Sequence, residues 1–522
     1  MLSQDQGVVV MWFKRDLRLH DNYALAAALT SGNLVLPIYI FESNIIRGDD
    51  QDERHHRFIW ESIADINSRL ASFNTKVLVL YGNAADVFTA IIERHKIVAV
   101  YSHQETGNQL TFQRDKKIAE LLKLSNINWH ESLQLPVFRK LKNRSEWGRR
   151  MNEFYADAQL IIDDHHWAKF IHDKELEKRF AVPDVMLERL SIPNKMMQPG
   201  GESYGWRYLE SFLRERGLKY AKQISKPNLS RTSCSRLSPY IAYGCLSARM
   251  VIQYTRQEII EHPTKKFPLN QFLTRLHWQA HFIQKFEQEC EMEEGPVNKA
   301  YPDRDIIQNE DWINAWKTGT TGYPLVDACM RCVAKTGYLN FRMRAMVVSF
   351  FVHNLGQHWK TAALHLAKQF LDYEPGIHYP QIQMQAGITG TNTLRMYNVV
   401  KQSYDNDADG IFIKTWIPEL AQLPKEHIHE PWKLTEDLCR TYNFIPGINY
   451  PLPIVNHEET MREARARLAE IRNSDEFRKE AGRILKKLTN PNRETIERRK
   501  KKQPKKANQT KLFATETRKP ED

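Results

Sequence analysis

Cysteine is scarce in this chain: six in 522 residues, too few and too scattered for a disulfide scaffold. No apolar run reaches the length of a membrane-spanning helix, about eighteen residues. The opening stretch, Met1 to Gly7, carries acid and has no apolar core, so no signal peptide is expected. A cytoplasmic protein is expected, or a nuclear one in a eukaryote. Serine-hydrolase and phosphate-loop motifs are absent as well. Cys329 and Cys332 share a helix face and Cys439 follows later, but an iron–sulfur cluster needs four ligands, so these read as packing cysteines. His55–His56 and His165–His166 are adjacent, a spacing that points side chains apart on a helix, and no metal site is expected.

What the chain does have is an ordinary globular composition and a net charge of +12, which favours a polyanionic partner such as nucleic acid. Short runs that are apolar throughout recur at residues 8–13, 34–41, 77–81, 97–101 and 127–129. Between them lie segments with apolar residues three and four apart, such as Val87, Phe88, Ile91 and Ile92. That alternation predicts a doubly wound α/β domain with a parallel sheet over residues 1–130, its crevice at the carboxyl ends of the strands. Residues 131–200 lose the period and read as a linker with a few short helices. Residues 201–490 carry helical spacing throughout, as in Phe272, Leu276, Phe282 and Phe286, and predict one all-helical domain. Residues 491–522 form a basic tail, predicted to be disordered, with seven basic residues among the nine from Arg498 to Lys506. One segment, Asp372 to Asn392, interrupts the helical pattern with Pro375, Pro380 and clustered glycines, and reads as an irregular binding loop.

Six segments in order carry a resemblance: VMWFKRDLRLHDN from Val10, RLSPYIAYGCLS from Arg236, TGYPLVDACMR from Thr321, NFRMR from Asn340, LRMYN from Leu394 and WIPEL from Trp416. Together they resemble the photolyase/cryptochrome family, and most closely a divergent bacterial-type DNA photolyase-like branch. The resemblance implies an α/β antenna domain and a helical domain that binds FAD. It also implies light-driven electron transfer from reduced FAD to a pyrimidine dimer in UV-damaged DNA, the deoxyribodipyrimidine photolyase reaction. The alternative it leaves open is a cryptochrome-like blue-light sensor that binds FAD, repairs nothing and signals to a protein partner. A monomer is expected. A second antenna chromophore of folate or deazaflavin type is implied for the N-terminal domain, where Lys14, His103, Glu105, Arg114 and Asp115 either line its pocket or hold the two domains together.

The candidate FAD contacts follow the motifs. Thr232, Ser233 and Ser235 precede a helix that starts near Ser238 with Pro239 at its first position, where proline is tolerated. Hydroxyls and free N–H groups at a positive helix end suit a diphosphate. Tyr220, Arg236, Leu237 and Ser238 join them by resemblance. Arg344 and Asp372 match the pair beside the isoalloxazine ring, where a charge-assisted bond tunes a flavin, and Asn340 falls near the family's asparagine in a motif written differently.

Three catalytic candidates remain. Trp278 matches the tryptophan that stacks on a flipped-out dimer. Trp359 falls at the middle position of the family's electron-transfer tryptophans, whereas Pro380 occupies the flavin-proximal position and no tryptophan lies near Asp305. A path through Tyr338, Tyr373, Tyr379, Trp312 or Trp316 stays open. His378 is a candidate proton donor. Arg275 stands where dimer-repair members place a glutamate, and Ala345 where they place methionine. Gln381, Gln383, Met384 and Gln385 are expected to lie along the flavin. Arg15 and Asp16 are expected to hold the two domains together.

Overall fold

The computed structural model describes residues 7–302, 308–392 and 394–489. The basic run from Arg498 and the position of Asp305 lie outside the described residues.

Five strands form one parallel sheet: β1 (Val8–Phe13), β2 (Leu34–Glu42), β3 (Leu78–Gly82), β4 (Ile97–His103) and β5 (Asn128–Ser132), in the order β3-β2-β1-β4-β5. Central β1 is buried along its whole length, as an apolar strand covered on both faces must be. The helices α1 (Tyr23–Thr30), α2 (Glu53–Leu70), α3 (Ala84–Arg94) and α4 (Gln109–Leu124) make the crossovers. Asparagines start three of them: Asn22, Asn83 and Asn108 each accept a backbone N–H of the first turn, the usual N-cap bond.

The linker carries short helices and adds a bridge to the sheet, where Phe170 pairs with Val35. One of those helices, Trp147–Ala156, buries Trp147, Met151 and Tyr155. These residues belong to an apolar core that runs without a break from β1 residues Val9 and Met11 to Phe272 and Ile283 of the helical domain. Charged groups reinforce the seam. Arg15 Nη1 donates to Glu374 Oε2 at 2.6 Å and to the Tyr373 carbonyl at 3.3 Å, and Arg18 Nη1 donates to the Gly244 carbonyl at 2.9 Å. Asp16, expected to do the same, instead pins its own loop: it accepts from Lys14 N at 2.6 Å and bonds His103 Nδ1 at 2.7 Å.

In the helical domain the elements that matter here are α5 (Ser238–Ala242), α6 (Lys266–Gln288), α7 (Pro324–Thr336), α8 (Phe341–Ser349), α9 (Trp359–Gln369), α10 (Pro375–Gln385), α11 (His457–Arg472) and α12 (Asp475–Leu488). Helix α10 corrects the expectation of an irregular loop over Asp372–Asn392. Pro375 opens it, and the internal Pro380 meets the carbonyl of Gly376 one turn back. The strain of that proline is offset by burial: Tyr379, Ile382 and Gln383 are enclosed, and Gly376 brings the α10 backbone against Ile283 of α6. A second correction concerns His165–His166. They lie in a 3-10 turn rather than a longer helix, and their rings sit 4.0 Å apart, centroid to centroid, instead of diverging.

Candidate functional site

Arginine and carboxylate side chains inside a helical domain need partners, and two of them find each other. Arg344 of α8 donates from one nitrogen, Nη2, to both oxygens of Asp372 at 2.9 Å, and from Nε to the Leu339 carbonyl at 2.9 Å. Its guanidinium lies 3.9 Å from the Phe370 ring centre. Burial alone raises the Asp372 carboxyl, but the charge and hydrogen bond of Arg344 outweigh it and hold the group below its ordinary value.

This pair walls a cavity of about 270 Å³. Tyr220, Ser235, Arg236, Leu237, Ser238 and Asn340 line it, with Trp278, Gln279 and Gln381 further along. Asn340 caps α8 and donates to the Ile224 carbonyl at 2.9 Å. Arg236 has a left-handed backbone (φ 61°), stacks 3.8 Å from the Tyr338 ring centre and keeps its buried Nε without a partner. A buried guanidinium N–H with no acceptor, next to two serines, fits a diphosphate. The Arg344–Asp372 pair fits the polar edge of a flavin. The residues present therefore suit FAD.

Thr232 and Ser233 do not belong to that lining. Both hydroxyls donate back to the Leu229 carbonyl, at 3.1 and 2.9 Å, because the chain there closes a short helical turn instead of opening toward α5. A smaller space of about 40 Å³ continues past Arg344 and Asp372 and is bordered by His378, Tyr373, Gln381 and Gln385. His378 bonds the Ala363 carbonyl through Nε2 at 2.8 Å, and burial pushes its pKa down to about 4. It is therefore a neutral ring with Nε2–H committed and Nδ1 as its acceptor, and holds no spare proton at neutral pH.

Helical geometry also redistributes the other residues of α10. Gln383 faces away from the cavity: it accepts from Val297 N at 2.9 Å and donates to the Met292 and Gly295 carbonyls at 2.8 Å. Tyr379 stacks on Phe286, 6.0 Å between centroids. Trp359 starts α9, buried in the apolar core of the helical domain, and borders neither space. Tyr373, by contrast, donates from its hydroxyl to Asp50 Oδ2 at 2.7 Å and borders both the 40 Å³ space and the crevice of the sheet.

That crevice opens at the carboxyl ends of the strands, as the sequence predicts, with room of about 90 Å³. Ion pairs fill much of it. Arg114 bonds Glu42, Glu105 at 2.7 Å and Asp115 at 2.7 Å, and Lys14 bonds Asp115 at 3.1 Å. Both cations lie over Trp12, at 4.8 and 5.0 Å.

Trp278 stands where the FAD-type cavity meets a second cavity of about 560 Å³. It is 46% exposed, unusual for a tryptophan on a core-facing helix, and Arg275 lies 4.9 Å from its ring centre. The second cavity brings together residues the sequence reading had not connected: His277, His281 and Lys285, successive four-residue steps along one face of α6, with Trp147 from the linker. That i, i+4, i+8 spacing of basic groups was the available signal.

Two family models match the chain: "DNA photolyase" over residues 9–138 and "FAD binding domain of DNA photolyase" over residues 272–470. The chain is 30% identical over 484 residues to a cryptochrome DASH of Gloeobacter violaceus, spanning 86% of this chain and 93% of that relative. The chain belongs to the photolyase/cryptochrome family. A deoxyribodipyrimidine photo-lyase of Alkalihalophilus pseudofirmus is 24% identical, over 89% of this chain and 98% of the relative. Relatives of both names span nearly their whole length, so the family is common ground and neither branch is singled out. The crystal structure of a Synechocystis cryptochrome superposes with a TM-score of 0.79 at 22% identity, covering 89% of this chain and all of that one. At that identity the likeness is one of fold: the N-terminal parallel sheet and the helical FAD-binding domain are the family's architecture.

Proposed function

We propose that this chain is a light-driven DNA-repair flavoenzyme of the deoxyribodipyrimidine photolyase type. The observation that carries the reading is Trp278, a large ring left half in solvent at the rim that joins the FAD-type cavity to a second, larger one. A flipped-out pyrimidine pair stacked there would sit beside the cofactor. Bound FAD supplies the light-driven electron that splits the dimer. The chain's residues do the rest: Arg344 and Asp372 orient and charge-match the ring, Ser235, Ser238 and Arg236 hold the phosphates, and the apolar walls exclude water. DNA is the proposed partner, drawn by the net charge of +12. No helix among the described residues is long and apolar enough to cross a membrane.

A cryptochrome-like sensor is the second reading. It is favoured by Arg275, which covers one face of Trp278 and puts a cation where dimer-repair members put an acid. A second chromophore of folate or deazaflavin type belongs to either reading, and entry into the sheet crevice would require Arg114 to leave its ion pairs. The deciding experiment incubates the FAD-loaded, reduced protein under blue light with DNA carrying cyclobutane dimers or (6-4) lesions, single-stranded and duplex. Restored bases in any arm support repair. No restoration, with FAD retained and a reversible light-dependent spectrum, moves the assignment to the sensor.

A further inference from the structure

Two cations are buried beside the second cavity with no ion pair of their own among the described residues. Lys285 is 8% exposed and makes no hydrogen bond or ion pair among the described residues. Arg144 is 2% exposed, and all its partners are neutral: Gln288 Oε1 at 2.9 Å, His281 Nδ1 at 2.7 Å and the His281 carbonyl at 3.3 Å. The nearby acid, Glu289, is already engaged by Arg483 at 2.8 Å and Lys487 at 2.9 Å. Burial and the charge of Arg144 push the Lys285 ammonium down to about 8 against a smaller opposing pull from Glu289, and burial pushes His281 down to about 3, so His281 adds no charge of its own.

An unpaired buried ammonium destabilises a fold, and a well-packed apolar side chain would relieve it. Among the described residues no carboxylate bonds Lys285, and its presence beside a roomy cavity fits an anionic ligand. The rest of the lining specifies which anion. Trp278, Trp147 and Phe282 supply aromatic surface along the same wall, and Arg395 adds a cation. Aromatic platforms beside a basic groove are how proteins hold nucleotides of an unpaired strand, base on ring and phosphate on cation.

We propose that the second cavity is a nucleotide site for the DNA strand, in which a backbone phosphate next to the lesion pairs with Lys285, in the field of Arg144, while its base lies along the Trp147 and Phe282 side of the wall. This rests on DNA as the partner under the repair reading and adds a specific grip on the strand, away from the flavin.

The test is made in the dark on undamaged DNA, so that it fails separately from the repair reading. Binding of a fluorescein-labelled oligothymidylate to the FAD-loaded protein is followed by anisotropy across a salt series. Lys285→Met is expected to weaken binding about tenfold. It should also lower the slope of log affinity against log salt by roughly 0.7, one single-strand phosphate. Lys285→Arg should stay within about twofold of wild type, as should Lys174→Met on an exposed helix of the linker. The thermal midpoint of Lys285→Met should be unchanged or raised, because an uncompensated charge has been removed. A structural role would lower it. Unchanged affinity and slope in Lys285→Met overturn the proposal, as do equal losses in the Met and Arg variants. Displacement of the oligonucleotide by inorganic phosphate at matched ionic strength assigns the pocket to a free anion and overturns the strand as its source.

Discussion

Replacing Asp372 with asparagine keeps the side chain's shape and removes its charge, isolating what the ion pair contributes. The carboxylate is almost enclosed, and the guanidinium of Arg344 is 24% exposed. Hydrogen bonds to charged groups contribute about 1.5–3 kcal/mol, and stranding one member of a fully buried pair costs about 3–5 kcal/mol. Arg344 would keep the Leu339 carbonyl, the face of Phe370 and some water. The loss therefore falls toward the lower range, about 2 kcal/mol, or roughly thirtyfold in the folding equilibrium. Urea unfolding of the FAD-free protein, followed by tryptophan fluorescence, measures it. Acid supplies the control. A carboxylate held below its ordinary value stabilises the fold above its unfolded pKa, about 3.9, and loses that contribution as pH falls through the folded value. The variant's deficit should be full at pH 7 and shrink below pH 4. A variant as stable as wild type at pH 7, or one whose deficit is undiminished in acid, refutes the reasoning.

The seam between the domains predicts an asymmetry. Arg15→Ala strands Glu374, whose other oxygen is already buried without a partner, and should cost about 3 kcal/mol, whereas Glu374→Gln strands only the Arg15 cation, which is partly in solvent and keeps the Tyr373 carbonyl, and should cost clearly less, both read by thermal unfolding. Gly376→Ala puts a methyl 3.0 Å from Ile283 Cα and should destabilise by about 1–3 kcal/mol despite alanine's better helix propensity; a raised melting temperature would show that α10 can move off α6. His378→Gln should flatten stability against pH. The wild-type ring, pushed down to about 4 from 6.5, contributes up to about 3 kcal/mol above pH 6.5 and loses it as pH falls to 4, so the gap between the two unfolding curves should narrow across that window.

The sheet was legible because buried parallel strands are apolar, and β1 to β4 fall on the apolar runs; the edge strand β5, Asn128–Ser132, is largely polar and only overlaps the end of the run at 127–129. Helix α10 was not, because Pro380 and the glycines are read locally as breakers, while the burial that overrides them comes from α6, about a hundred residues away. The same distance effect separates the candidate FAD residues. Arg344 and Asp372 followed from motifs, and the structure joins them directly. Thr232 and Ser233 had the right chemistry at the wrong angle, since a turn returns their hydroxyls to Leu229. Gln383 is buried for the sake of three backbone groups in another loop. The basic face of α6 was printed in the spacing of His277, His281 and Lys285, but its meaning depends on which neighbours lack a carboxylate, and a linear chain does not display that.

Tyr373 has a position of a different kind. Its hydroxyl is anchored on Asp50 of the N-terminal domain, its chain neighbour Asp372 holds Arg344, and it borders the crevice of the sheet as well as the inner space of the helices. The two compartments thus share a phenol, and a charge introduced on the Asp50 side acts on the hydroxyl of the residue next in the chain to the carboxylate that meets Arg344.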